Sequence, residues 1–181
     1  MTLLGLLAIG LCLRIAISDL YARRVPNAWL LAACAIGAPL IVVAQFSAAG
    51  PDWTAHVLGA VIGLVAMLPF YALRWMGAGD VKFFAVLGLL LGWQALLPVW
   101  VLASLAAGAH AVAVLIGRQL RAHLPLRLQL QVSRASTQWQ SHPAVRELQA
   151  ARQGRQGIPY AAYLALAAMG WVVATTYGGV A

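Results

Sequence analysis

The chain has 181 residues, 63% of them hydrophobic and 9% charged, with a mean hydropathy of +0.85, a composition far outside that of soluble domains. Its formal charge of +8 would suggest nucleic acid in a soluble protein; in a bilayer it reports on which side the arginines sit, and no nucleic-acid partner is expected. Cys12 and Cys34 stand in separate apolar segments without CxxC spacing, which argues against a zinc site and offers no disulfide framework.

A membrane-spanning helix needs about 20 mostly apolar residues. The first such run, 3–18, has no basic residue before Arg14, so it reads as a retained span rather than a cleaved signal, with Arg14 snorkelling to the interface. Asp19 ends it, a basic turn with Arg23 and Arg24 follows, and Pro26 with Asn27 opens a second span over 28–47. A loop around 50–54 with Asp52 leads to a third span, 57–75. After Arg74 comes the stretch MGAGDVKFF, 76–84, in which Asp80 stands between glycines and Lys82.

The run 81–117 carries no charge after Lys82. As one helix it would be roughly 55 Å long, so it is expected to fold back near 92–98, making spans four and five. Gly59 with Gly63 and Gly88 with Gly92 have the four-residue spacing that permits close helix approach. His110 lies inside span five without a metal-ligand partner three or four residues away, and a hydrogen bond to a neighbouring helix is its expected use. The segment 118–157 carries Arg118, Arg121, Arg127, Arg134, Arg146, Arg152 and Arg155. Within it, LRLQLQV (126–132) alternates as a half-exposed strand would, and HPAVRELQAARQ reads as an amphipathic helix starting near Pro143. A sixth span covers 158–177, and Trp53, Trp75, Trp93 and Trp171 are expected as interfacial anchors.

The expected fold is therefore an all-α integral membrane bundle of six helices, one domain over 1–181, with 118–157 as a basic cytoplasmic loop. The arginine-bearing connections are cytoplasmic by the positive-inside rule, and both termini lie outside. Arg23 and Arg24 read as topology signals rather than substrate contacts. Of four acidic residues, Asp52 falls on the opposite side and Glu147 in the large loop, while Asp19 and Asp80 share the cytoplasmic boundary.

Two adjacent carboxylates share a proton and titrate as a pair. One can take a proton from water while the other protonates a carbonyl, which is acid–base hydrolysis of an amide. Neither GxSxG nor HExxH occurs, and this chemistry requires no metal or organic cofactor. Gly77 and Gly79 would tolerate unusual dihedrals and let a substrate backbone approach Asp80; Lys82 and Asn27 are further candidates at the site. Structural uses are open too: Asp80 as a helix N-cap, Asp19 as an interfacial charge paired with Arg23. Helix ends favour Asp80 as base and Asp19 as acid, since Asp80 begins a helix and Asp19 ends one.

GAGD followed by VK, with DLYARRVPN at 19–27 and GIPY at 157–160, resembles the type IV prepilin peptidases, membrane aspartyl proteases of the GxGD kind. The resemblance spans nearly the whole chain, and without paired CxxC motifs it is to the short form of Tad/Flp-type pili, without methyl transfer. It implies Asp19 and Asp80 as the catalytic pair and an inner-membrane enzyme acting at the cytoplasmic face. It implies as substrate a prepilin or pseudopilin precursor with a basic leader before an apolar helix, with pilus-assembly or secretion components as further partners. The competing readings are a proton- or cation-coupled transporter using both aspartates in a vestibule, and an inactive assembly scaffold.

Overall fold

The computed structural model describes residues 2–46, 52–123, 125, 127–128, 130–131, 138–152 and 158–178. The helices that build it are α1 (Leu3–Ala22), α2 (Asn27–Ala44), α3 (Trp53–Ala72), α4 (Ala78–Leu91), α5 (Trp93–Ala122), α6 (Pro143–Arg152) and α7 (Tyr160–Tyr177). Their limits follow local chemistry. Thr2 caps α1 by accepting the Gly5 N–H at 3.1 Å, and Arg23, at φ 53°, ends it in a left-handed turn whose N–H donates to the Asp19 carbonyl. Asp52 caps α3, accepting both the N–H and the hydroxyl of Thr54. These two bonds hold its carboxyl below the usual aspartate range.

The expected fold-back occurs at a single residue. Gly92, at φ 81°, separates α4 from α5, a conformation that glycine adopts without strain. Among the described residues five helices, α1, α2, α3, α5 and α7, are long and apolar enough to cross a membrane. The fourth expected span differs: α4 has 14 residues, or about 21 Å at the helical rise, short of the roughly 30 Å of a hydrocarbon core.

The short helix is also the central one. It packs against α1, α2, α3, α5 and α7, and Val81, Phe83, Phe84, Val86, Leu87 and Leu90 are all buried. A helix apolar on every side suits such a position. Lipid does not drive apolar helices together as water does, so close backbone contact must hold them, and α3 and α4 supply it. A methyl group at Gly59 would lie 2.2 Å from the Gly88 carbonyl oxygen, and one at Gly88 would lie 2.1 Å from that of Gly59. The two glycine pairs read from the sequence are this contact surface, with Gly63 against the Phe84 carbonyl.

Two expectations need correction. Among the described residues of LRLQLQV, Arg127, Leu128, Gln131 and Leu130 are helical rather than extended; the leucines, glutamines and arginine of this stretch are good helix formers and only Val132 is β-branched, while 126, 129 and 132 lie outside the described residues. Trp171 is not at a helix end but partly buried against the core in the middle of α7. Trp53 and Trp93 do begin helices, and α6 starts at Pro143 as expected and packs on α1.

Candidate active site

Asp19 continues the buried stripe of α1. Leu11, Cys12, Ile15, Ala16 and Asp19 recur at helical spacing, and the carboxylate ends up only 7% exposed. A buried carboxylate requires a donor. That donor comes from α7, whose N-cap, Pro159, has no side chain to cap with. The free N–H of Ala162 donates to Asp19 Oδ2 at 3.0 Å, and that of Ala161 also points at the carboxylate. Asp19 thus serves as a cap supplied by another helix, at the end where the α7 dipole is positive.

Asp80 is the third residue of α4. Gly77 is the N-cap, and the Asp80 N–H donates to its carbonyl at 3.1 Å; Asp80 is therefore not the N-cap itself, and its carboxyl reaches back to the Gly77 N–H as the third residue of a capping box does. Because α1 packs on α4, Asp19 lies near enough for its charge to be felt at Asp80. The aspartates, 61 positions apart in sequence, are brought together by the fold. Both now sit at helix N-termini, Asp80 at that of its own helix and Asp19 at that of α7. The asymmetry of helix ends that favoured Asp80 as base is therefore gone.

Asp80 faces a cavity of about 720 Å³ whose walls come from the end of α3, the start of α4, the middle of α5 and the start of α7. Ser104, Ala107, Gly108 and Ala111 form one wall along α5, a run of small side chains that keeps it open. Phe70, Trp75 and Trp100 form an aromatic corner, with ring centroids 6.3 and 6.5 Å from Phe70. Asp19 is buried and does not line this cavity. The geometry offers a carboxylate at an apolar cleft backed by a second, buried carboxylate.

The remaining candidates have definite places. Gly77 adjoins the pair: a methyl group there would meet Asp80 Oδ2 at 3.4 Å. Gly79 instead faces the turn between α1 and α2, where a methyl group would come within 2.9 Å of Val25 Cβ. Neither needs a positive φ, which among the glycines described belongs to Gly92, so their use is close packing rather than unusual backbone. Lys82 and Asn27 meet each other, Nζ donating to Oδ1 at 3.4 Å on the exposed side, and line no wall of the Asp80 cavity. His110 bonds Tyr163 across α5 and α7, the helix-to-helix use expected for it. Arg14 lies over the Trp29 ring at 5.1 Å.

Arg23 is close to Asp19 but does not use its guanidinium on it as a hydrogen-bonded pair: Nε and Nη1 are buried without a partner. Burial, then the neighbouring Arg152 guanidinium, pulls its pKa below the ordinary arginine value. Arg152, from α6, donates to the Leu20 carbonyl at 2.9 Å, which ties the large loop to the end of α1.

Sequence reasoning missed part of the cavity. Trp75 was read only as an anchor, Ser104 only as lying outside a hydrolase motif, and Tyr160 only as part of GIPY, yet all three line the Asp80 cavity. Nothing in their spacing announces this, because they come from three segments. Among known proteins, the family model described as the type IV leader peptidase family matches residues 6–112, more than half of the chain and inclusive of both aspartates. No curated protein and no solved structure matches it.

Proposed function

Because the chain belongs to the type IV leader peptidase family, we propose that it is an aspartyl endopeptidase that removes the leader of a prepilin-like precursor at the cytoplasmic membrane face. The observation that carries this reading is that the fold brings Asp19, bonded to the first turn of α7, to the same end of the bundle as Asp80, which lines an apolar cavity beside that turn. An apolar cleft suits a substrate whose cut lies beside an apolar helix. Two neighbouring carboxylates that approach on substrate binding hold one proton between them. The ionised member takes a proton from water as its oxygen adds to the scissile carbonyl carbon, and the protonated member gives its proton to the carbonyl oxygen. Collapse of the tetrahedral species breaks the C–N bond, with a proton returned to the leaving nitrogen. No group beyond carboxylates and water is required for these steps.

In the bilayer, α4 serves as a reduced sixth crossing, buried among the five long helices, and the arginine-bearing loops face the cytoplasm. The enzyme then sits in the inner membrane with both termini outside, and the precursor enters laterally. Pilus-assembly or secretion components are natural neighbours of such a product.

The deciding experiment is co-expression with a prepilin-like precursor, followed by gel shift and amino-terminal sequencing of the product. Asp19→Asn and Asp80→Asn should each lower turnover by about 10²- to 10⁴-fold, the weight of a general acid or base, while the protein still inserts. A defined cut that persists at the normal rate in either variant would overturn the paired mechanism and favour a transporter or scaffold.

A further inference from the structure

The first turn of α7 bonds one aspartate and shares a cavity with the other. Its backbone holds Asp19 through the Ala161 and Ala162 N–H groups, and its first side chain, Tyr160, lines the cavity into which Asp80 faces. Asp80 and Tyr160 thus face one cavity, from α4 and from α7. On its other side the phenol oxygen lies 3.0 Å from Ser104 Oγ, on the small-residue wall of α5.

A phenol has one proton to donate and can also accept. When Ser104 donates and Tyr160 accepts, the phenol proton is left to aim into the cavity, with its oxygen held from α5 and its ring from α7. The other donor-bearing side chains of the cavity are the indoles of Trp75 and Trp100, whose rings pack on Phe70, while Ser104 and Tyr160 are bonded to each other. A peptide carbonyl brought to Asp80 therefore meets a fixed O–H donor at the same wall.

We infer that Tyr160 is a further catalytic residue, whose hydroxyl, oriented by Ser104, donates a hydrogen bond to the oxygen of the scissile carbonyl. The inference rests on the peptidase reading. It involves no covalent step at tyrosine: water still adds to the carbonyl carbon and the aspartates still move the protons. Tyr160 stabilises the oxygen as it gains charge, a contact that strengthens on the way to the tetrahedral species and so acts on kcat rather than on ground-state binding. Ser104 is a positioning residue in this scheme.

The test is steady-state cleavage of a prepilin-like substrate by the full chain in lipid vesicles, for the wild type, Tyr160→Phe, Ser104→Ala and Asp80→Asn, with thermal midpoints measured beside it. Tyr160→Phe keeps the ring and removes only the hydroxyl. We expect kcat to fall by about 10²-fold, as on loss of one oxyanion donor, with KM and the thermal midpoint unchanged. Ser104→Ala should lower kcat by a smaller factor, and Ser104→Thr, which keeps a hydroxyl, should restore it. Normal kcat in Tyr160→Phe, or a loss that appears in KM or in the thermal midpoint instead, overturns the role of Tyr160 and leaves the peptidase reading standing. A wild type that does not cut, no better than Asp80→Asn, overturns both.

Discussion

Gly79 shows how little room one residue at this site has. A methyl group added there would lie 2.9 Å from Val25 Cβ, the first atom of a side chain that rotation cannot move. Overpacking of this kind costs about 1–3 kcal/mol, against a helix-propensity gain of up to about 1 kcal/mol for replacing glycine. Gly79→Ala should therefore be destabilising in a thermal unfolding measurement and should reduce cleavage, because Asp80 is the next residue. Val25→Gly removes the opposing atom, and the double variant should recover part of the loss, a coupling expected between residues in contact. Additive effects of the two substitutions would remove this account of Gly79. At this scale the sequence was informative about chemistry and less so about cause: the candidate residues Gly77, Gly79 and Asp80 lie in one short stretch, but the reason for Gly79 sits in a turn more than 50 residues earlier, where no local rule looks.

At the scale of helices, the contact of α3 with α4 decides where Asp80 stands. Gly59 and Gly88 press backbone on backbone, so a methyl group on either cannot be absorbed by a side-chain rotation and must part the helices. Gly88→Ala should cost about 3 kcal/mol, the upper end of ordinary overpacking, and should lower activity by moving α4 relative to α1. Gly170→Ala in α7, with nothing within 4 Å of the added methyl, is the control and should be neutral or slightly stabilising. Equal thermal midpoints for the two variants would mean that the helices are not held by this contact. The spacing of the glycines makes the pairs visible in the sequence, and length alone requires a fold-back near 92–98, which the structure places at Gly92. The shortness of α4 was not. A run of apolar residues has no signal for how much of it is spanned and how much is surrounded, since lipid and a ring of apolar helices select the same side chains.

For the whole molecule, orientation is the testable property. With Cys12 and Cys34 replaced by alanine, a cysteine at Phe46, which is 89% exposed beyond the end of α2, should react with a membrane-impermeant maleimide on intact spheroplasts. A cysteine at Ser141, exposed beside α6, should react only after permeabilisation. The reverse pattern would put the aspartates on the outer side and end the cytoplasmic reading. Composition and the order of charges by themselves determined that this is a helical membrane protein, where its helices turn, and which two carboxylates share one side, because hydrophobicity, helix length and arginine placement are properties of segments. The tertiary structure alone decided that α4 lies at the centre, that α7 caps Asp19 with its own N–H groups, and that Tyr160 and Ser104 meet at the Asp80 cavity. Those are contacts between segments far apart in the chain, set by which helix faces pack, and no single segment carries them.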